Sequence, residues 1–297
     1  MTEPAADFAA DRASVDAALA ALAARETSVL ADPVGEAIRY SLEGGGKRLR
    51  AVLFLASYRA AGGVHDAADL AAAIEVVHAY SLVHDDLPCM DDDDMRRGRA
   101  TVHRVYGVVA ATAAGVAMVP LAARGAARAS RAMGLTSDVV SRIVAALMRA
   151  SGAGGMVGGQ LLDLEGERRP LSVAELERIH RAKTGALIAV SVTLGGIAAG
   201  ASRDRLAALE RFGESVGLAF QIADDVLDVT ATTDQLGKTA GKDAAYGKST
   251  YPALLGIDGA VAKADAVVAD GCRALAQAGL LSPELELIAR FIIARRS

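Results

Sequence analysis

The sequence has little of several residue types, and each shortage excludes a class of protein. Tryptophan is absent and aromatic residues make up 4% of the 297 residues, so the aromatic belts of membrane proteins are not expected. The two cysteines, Cys89 and Cys272, lie far apart, which excludes a disulfide framework. The net charge of −4 leaves no basic excess to attract nucleic acid. The N-terminus lacks the pattern of a signal peptide, and we expect a cytoplasmic protein.

Two long uncharged runs need a separate explanation. Residues 105–123 and 184–202 each carry no charged residue over 19 positions, which is long enough to cross a membrane. Both runs are rich in Ala, Gly, Ser and Thr rather than in Leu, Ile and Phe, so their insertion into lipid is unfavourable. We therefore expect helices buried inside a helical protein, with no stable membrane insertion.

The pattern of apolar residues is helical along most of the chain. Ser172, followed three residues later by Glu175, is a capping box that predicts a helix start. A helical stripe comprises Leu206, Leu209, Phe212, Val216 and Phe220. Strands of alternating β-branched residues, linkers and repeats are absent from the sequence. We predict one all-α domain over residues 1–297, a multi-helix bundle around a large central active-site cavity.

Two clusters of aspartates are the most informative feature that is present. The segments HDDLPCMDDDD at 84–94 and QIADDVLD at 221–228 are each followed by basic residues. Carboxylates suit Mg²⁺, which is usually held by a few carboxylates and by substrate phosphates. Arg and Lys beside such a site are the expected partners of phosphate oxygens. The two clusters therefore predict a cavity in which several Mg²⁺ ions hold a diphosphate between two acidic walls.

Within the first cluster, a proline is predicted to bring two carboxylates that are separated in sequence towards each other. Asp85 and Asp91 are six residues apart, which places them on different faces of an ideal helix. Pro88 disfavours helical geometry at Leu87 and should end or distort the helix there. We predict that this break lets Asp91 fold back towards Asp85.

The second cluster fits one face of a helix. Asp224 and Asp228 are four residues apart and therefore share a face, on which Gln221 lies one turn earlier. Asp224 and Asp225 follow an apolar segment that should be buried, where clustered carboxylates would repel one another without cations.

Other metal and phosphate motifs do not match. A calcium loop starting at Asp91 would have Met95 at a ligand position and Arg96 where Gly is required. GGGKR, GKT and GKST lack the residues or spacing of an ATP-binding P-loop. His78 and His84 are six residues apart, and neither HExxH nor paired CxxC occurs, so no zinc site is predicted.

Taken in order, these motifs resemble the trans-isoprenyl diphosphate synthases, most closely the bacterial farnesyl diphosphate synthases. The segments that carry the resemblance are GGGKRLR (44–50), HAYSLVHDDLPCMDDDDMRRGRATVH (78–103), GGQLLDLEGE (158–167), IHRAKTGAL (179–187), GLAFQIADDVLD (217–228) and LGKTAGKDAAYGKSTYPALLG (236–256). The resemblance implies an all-α fold of isoprenoid synthase type, a homodimer, and about three Mg²⁺ ions with substrate bound. The implied reaction ionises an allylic diphosphate, joins the carbocation to isopentenyl diphosphate and then removes a proton.

The resemblance also implies roles for individual residues. The metal ligands would be Asp85, Asp91 and Asp224, with Asp86, Asp225 and Asp228 supporting or sharing that role. The allylic-diphosphate site would comprise Arg96, Lys183, Thr184, Gln221, Lys238 and Lys248. The isopentenyl-diphosphate site would comprise Gly46, Lys47, Arg50, His78 and Arg97. Catalysis would depend on Asp85, Asp91, Arg96, Lys183 and Asp224, because charge develops on the leaving diphosphate. Solvated surface positions are expected for Arg99, Arg104 and Lys242.

Product length is predicted from the residues just before the first cluster. Tyr80 lies five residues before Asp85, roughly 7.5 Å down a helix that rises 1.5 Å per residue. By resemblance, Tyr80 and Ser81 would form a floor that stops the product at fifteen carbons.

The chain departs from the family pattern after the first cluster. Relatives typically carry Glu and Asp where Val108 and Val116 stand, Pro120 enters a predicted helix and should kink it, and Ala51 replaces a common proline. We expect this helix to be buried and to help line the cavity, so the substitutions bear on product length.

Three alternatives stay open. A geranylgeranyl diphosphate synthase would share every motif. A terpene cyclase would need no second diphosphate site. The GGGKRLR motif and Arg97 indicate such a site and therefore argue against a cyclase. A non-catalytic regulatory subunit of a heteromeric synthase would be expected to lose the aspartate clusters, and both are present.

Overall fold

Helices make up most of the computed structural model, which describes residues 8–166, 169–230 and 249–294. The helices are α1 (Ala9–Thr27), α2 (Val34–Leu42), α3 (Leu49–Ala60), α4 (Ala68–Asp85), α5 (Val102–Tyr106), α6 (Val108–Ala132), α7 (Ser137–Ser151), α8 (Met156–Gly166), α9 (Val173–His180), α10 (Ala186–Ala198), α11 (Arg203–Thr230), α12 (Tyr251–Gln277) and α13 (Pro283–Ala294). A π-helical segment, Arg181–Gly185, joins α9 to α10. Strands β1 (Met95–Arg96) and β2 (Arg99–Ala100) form an antiparallel ribbon. The prediction of an all-α fold is confirmed.

Two compact units can be distinguished by their internal contacts. The first comprises Met1–Leu55 and Val64–Val144, and the second comprises Ala56–Gly63 and Ala145–Ser297.

Helix α4 forms the core of the first unit, packed between α1 and α6. Its N-terminal half is rich in alanine, and Leu70 and Ile74, one turn apart, are completely buried. Burying each such side chain contributes about 1.5–3 kcal/mol relative to leaving it exposed. The missing side chain of Gly125 lets α6 approach closely, because a Cβ atom there would lie 3.1 Å from Leu22 of α1. The buried helix ends at the first aspartate cluster.

Helix α11 forms the core of the second unit, against α10, α12 and α13. Of the predicted stripe, Leu206, Leu209, Phe212 and Val216 are buried, and Phe220 is half-buried. Small residues lie where α11 crosses its neighbours. A Cβ atom on Gly213 would lie 2.7 Å from the Cα atom of Ala189 in α10, so the two backbones are in direct contact. The stripe therefore packs α11 into the core and leads into the second aspartate cluster.

The capping box at the start of α9 is confirmed. The Ser172 hydroxyl accepts a hydrogen bond from the Glu175 backbone N–H, and the Glu175 carboxylate accepts one from the Ser172 backbone N–H. Hydrogen bonds from the Ser172 backbone and side chain lower the pKa of Glu175 to about 2. The carboxylate is thus ionised at neutral pH, as a capping group at a positive helix end should be.

The uncharged run in α6 is only partly buried. Within the described residues, α6 is the one helix whose length and hydropathy would allow it to cross a membrane, and 44% of its apolar window is buried. A core helix of a protein in water has the same properties. Val108 and Val116 are 46% and 62% exposed, so the expectation that this stretch is buried is wrong at both positions. Their side chains lie outside the packed core, and α6 continues through Pro120.

Candidate active site

The first aspartate cluster forms a turn that folds back on the end of α4. The backbone N–H of Leu87 donates to the carbonyl of His84, and that of Met90 donates to the carbonyl of Leu87. The N–H of Asp91 then donates to the carbonyl of Asp85 over 2.9 Å. The predicted return of Asp91 to Asp85 is therefore confirmed, and both residues are half-exposed.

Asp86 holds Arg96 at the base of this turn. Its side chain is 4% exposed, and its Oδ1 accepts a hydrogen bond of 2.7 Å from Arg96 Nε. Burial raises the pKa of the Asp86 carboxyl, and the hydrogen bond from Arg96 opposes that shift. Because arginine stays protonated, the pair is a buried ion pair that fixes the guanidinium in place.

The chemistry of the turn fits Mg²⁺ shared with a substrate. Across residues 8–166, 169–230 and 249–294, no group of three or more His, Cys, Asp or Glu side chains is arranged to hold a metal ion by itself. Mg²⁺ usually takes one or two carboxylates and completes its octahedron with water and substrate phosphates. Asp85 and Asp91, whose backbones are hydrogen-bonded to each other at this turn, carry two carboxylates of the type that Mg²⁺ binds.

A solvent-open cavity lies in the first unit. Its lining includes Arg48, Glu75, His78, Asp86, Arg96, Arg97 and Arg99. Four arginines and two acidic residues therefore line the same space. Such a balance suits a diphosphate, which arginine binds through paired N–H groups.

His78 enters this cavity as a neutral imidazole. Its Nδ1 atom is buried and has no hydrogen-bond partner within the described part of the chain. Burial lowers the pKa of His78 well below its ordinary value, and Arg50 and Arg97 lower it further. A neutral imidazole can hydrogen-bond a phosphate oxygen without adding another cation to the cluster.

Gly46 makes room for Arg97. Gly46 has a φ of 152°, and a Cβ atom there would lie 2.6 Å from Arg97 Nη1. The same guanidinium donates a hydrogen bond to the Gly45 carbonyl. Gly46 therefore allows a close approach by the Arg97 side chain. Of the other predicted ligands nearby, Lys47 is exposed, and Arg50, in the first turn of α3, is buried.

Arg99 was expected to be solvated, and that expectation is wrong. Its guanidinium lies 4.1 Å from the ring centroid of Tyr40 and lines the cavity. Arg104 is 58% exposed and pairs with Asp94, as a surface arginine should. Lys242 lies outside the described residues. The Tyr40 stack joins residues 59 positions apart, so no local pattern could have indicated it.

Tyr80 and Ser81, the predicted floor residues, lie about one turn before the C-terminal end of α4. The Tyr80 ring meets the His84 ring edge-on, with centroids 5.1 Å apart, and burial raises the pKa of the Tyr80 phenol. His84 is itself held by the Thr112 carbonyl of α6, 3.1 Å from its Nε2. Ser81 donates its hydroxyl to the His78 carbonyl. Tyr80 is therefore packed by a fixed neighbour and half-buried.

In the second unit, the second cluster divides by burial. Asp224 and Gln221 are half-exposed, whereas Asp225 and Asp228 are each 6% exposed. Asp225 Oδ2 accepts a hydrogen bond of 2.9 Å from the backbone N–H of Tyr251, at the start of α12. The carboxylate thus satisfies one of the unpaired N–H groups at a helix start. Asp225 therefore ties α11 to α12.

Lys183 lies on the π-helical segment and pairs with an aspartate that the sequence analysis did not single out. Its Nζ is 2.6 Å from Asp163 Oδ2. Such π-helical segments are rare overall, and those that occur are frequently found at functional sites. Asp163 belongs to GGQLLDLEGE, which carried part of the resemblance, so the motif was noticed without this residue. Thr184 lies on the same segment, and Lys238 and Lys248 lie outside the described residues.

The chain is similar to proteins of known activity over most of its length. The family model for polyprenyl synthetase matches residues 32–272. A farnesyl diphosphate synthase of Escherichia coli (strain K12) is 46% identical over 268 residues, which are 89% of each chain. A dimethylallyltranstransferase of Fischerella ambigua (strain UTEX 1903) is 44% identical over 93% of this chain and 80% of that protein. The apo crystal structure of an FPP/GFPP synthase from Zymomonas mobilis is 35% identical, with a TM-score of 0.83, and covers 98% of this chain and 100% of that one.

The contact between α8 and the π-helical segment gives a stability prediction. A Cβ atom on Gly159 would lie 2.1 Å from the backbone nitrogen of Lys183, so Gly159→Ala should push the two backbones apart. Overpacking of this kind costs about 1–3 kcal/mol, and we expect a loss of that size in the free energy of unfolding, measured by urea denaturation. Gly154→Ala is the control, because a Cβ atom there meets nothing within 4 Å. Equal stabilities of the two variants would contradict the prediction.

Proposed function

Because the chain belongs to the polyprenyl synthetase family, we propose that it is a short-chain prenyltransferase, a farnesyl diphosphate synthase. It condenses isopentenyl diphosphate with dimethylallyl or geranyl diphosphate. The observation that carries this assignment is the arginine-lined cavity of the first unit, next to a turn that presents Asp85 and Asp91. A terpene cyclase does not require a second anion site beside its carboxylates, and a non-catalytic regulatory subunit does not require the carboxylates. Both features therefore favour the synthase.

In the first unit, the proposed roles follow from what each side chain contacts. Arg96, fixed by Asp86, binds the allylic diphosphate and stabilises the charge that develops on it as it leaves. His78 and Arg97 bind isopentenyl diphosphate from the cavity, with Lys47 on the loop before α3 and Arg50 in the first turn of α3. Asp85 and Asp91 hold Mg²⁺, which when bound neutralises part of the diphosphate charge.

In the second unit, Asp224 is the proposed metal ligand, because it is the half-exposed member of the second cluster. Asp225 and Asp228 support it from buried positions. Lys183 and Thr184 on the π-helical segment, and Gln221 on α11, bind the allylic diphosphate. Lys238 and Lys248 complete that group in the proposal. The Lys183–Asp163 ion pair would keep the ammonium in place until a diphosphate binds.

The test of the function is a condensation assay. The purified protein is incubated with isopentenyl diphosphate, Mg²⁺ and either dimethylallyl or geranyl diphosphate, and product length is measured by chromatography. We expect a fifteen-carbon product, no product after chelation of Mg²⁺, and a loss in kcat of about 100-fold or more in Asp85→Asn. Asp270→Asn, which removes an exposed partner of Arg211, is the control. No condensation with any allylic substrate would overturn the proposal, and a twenty-carbon product would favour a geranylgeranyl diphosphate synthase.

Tyr80 gives the prediction for chain length. Replacing the half-buried ring by the smaller side chain in Tyr80→Ala should deepen the site and shift the product beyond fifteen carbons. Tyr106→Ala is the matched control, since Tyr106 packs on Tyr40 in the same unit and should leave product length unchanged. A fifteen-carbon product from Tyr80→Ala would refute the floor assignment.

We also propose that the enzyme is a homodimer in which a second copy covers the exposed valines of α5 and α6. This surface comprises Val105, Val108, Val109 and Val116, which are 47%, 46%, 84% and 62% exposed. Several large apolar side chains exposed on neighbouring helices favour a protein interface. Valine at positions 108 and 116, where relatives typically have acids, makes the surface more apolar.

Oligomeric state tests this interface. Val109→Asp should shift the protein from dimer to monomer in light scattering coupled to gel filtration, because the interface would bury an unpaired carboxylate. Val64→Asp is the control, since Val64 is 85% exposed and outside the surface. A monomeric wild-type protein, or a dimer in both variants, would contradict the proposal.

Two further proposals concern the extent of the domain and the location of the protein in the cell. We propose one synthase domain over residues 1–297, supported by a family match that runs from residue 32 to residue 272 and so includes parts of both units. We propose a cytoplasmic location, supported by the reduced cysteines expected from the sequence.

A further inference from the structure

We propose that Arg48, held by Asp16 and Glu75, is a positioning residue of the isopentenyl-diphosphate site. The proposal rests on the proposed function for the identity of the ligand. Arg48 would act through its neighbours: it anchors the junction between the loop that carries Lys47 and contacts Arg97 and the first turn of α3, which carries Arg50.

Arg48 is a buried cation with partners on three elements. Its side chain is 6% exposed, and its Nε donates a hydrogen bond of 2.7 Å to Asp16 of α1. Its Nη2 donates to the Leu42 carbonyl at the end of α2 over 3.3 Å. Its Nη1 lies 3.6 Å from Glu75 of α4. The fork geometry of the guanidinium allows one side chain to tie these helices together.

The backbone at Arg48 is itself under constraint. Its φ of 51° lies in the left-handed region that an arginine rarely adopts. Such a conformation is kept only where surrounding contacts determine it. Here the contacts are the ion pairs of the same residue, so the side chain holds the loop in a conformation that the backbone alone would not keep.

Glu75 links this anchor to the start of α3. The Glu75 side chain is 2% exposed, and its Oε1 accepts a hydrogen bond of 3.2 Å from the backbone N–H of Ala51. An acidic group that receives an N–H in the first turn stabilises a helix start. One carboxylate thus fixes both Arg48 and the turn on which Arg50 lies.

The anchored loop and the first turn of α3 carry or contact three predicted ligands. Lys47 and Arg50 are one residue before and two residues after Arg48 in the chain. Arg97 donates to the Gly45 carbonyl and lies against Gly46. If the anchor is weakened, the loop can move and the three cations lose their fixed spacing. Binding of isopentenyl diphosphate should then weaken more than binding of the allylic substrate.

Asp16→Asn is the principal test, because the Asp16 side chain is 51% exposed and its replacement should not prevent folding. It removes the charge that holds Arg48 Nε, and charge-assisted hydrogen bonds are the stronger kind. We expect the KM for isopentenyl diphosphate to rise about tenfold and the KM for geranyl diphosphate to change less than about twofold. The Kd for isopentenyl diphosphate without Mg²⁺, measured by calorimetry, should rise by a similar factor.

Three further variants make the result specific. Asp16→Glu retains the carboxylate and should recover most of the loss, whereas Arg48→Lys retains the charge without the fork and should resemble Asp16→Asn. Asp32→Asn is the matched control, because it removes the exposed partner of Arg39, 3.5 Å away in the same unit. It should leave both KM values unchanged.

The outcomes separate this inference from the proposed function. Unchanged KM and Kd values in Asp16→Asn, or an equal rise in the KM of both substrates, would overturn the positioning role while the wild-type enzyme remains an active synthase. A wild-type protein that condenses no allylic substrate would overturn the proposed function instead. A selective rise for isopentenyl diphosphate, reversed in Asp16→Glu, would support the proposal.

Discussion

Mutual repulsion among the cationic side chains of the first unit constrains which side chains can line its cavity. Arg48, Arg96, Arg97 and Arg99 line the same cavity, and gathering guanidinium groups around one space costs free energy unless carboxylates lie among them. Glu75 and Asp86, both almost completely buried, supply that compensation. His78 contributes no charge, because its surroundings keep the imidazole neutral.

The contacts that compensate the arginine charges also hold those side chains in place for an anionic ligand. Arginine side chains in solution would lose much conformational entropy on binding a diphosphate. Here Asp86 holds Arg96, and the Gly45 carbonyl receives Arg97, so part of that entropy is lost on folding. A preorganised set of donors is more effective where charge develops in a transition state. Under the proposed function, folding stability and substrate binding depend on the same side-chain contacts.

Much of this could be predicted from the sequence where the controlling interaction is local. Pro88 ends a helix through its own neighbours, and the return of Asp91 follows within a few residues. The capping box at Ser172 and Glu175 likewise spans a single turn. The all-α fold follows from a periodicity repeated along the chain. The expected burial of Val108 and Val116 in α6 was wrong, because an uncharged helix can be buried or can present an apolar face to solvent.

By itself, the sequence determined the helical class and the turn formed by the first aspartate cluster, since residue type and short spacing suffice for each. Only the tertiary structure decided which cations share a cavity and what holds them. Asp16 and Arg48 are 32 residues apart, and Arg99 and Tyr40 are 59 apart. Neither pairing leaves a local pattern. Such contacts depend on how helices pack, and packing is determined by the shapes of many side chains together.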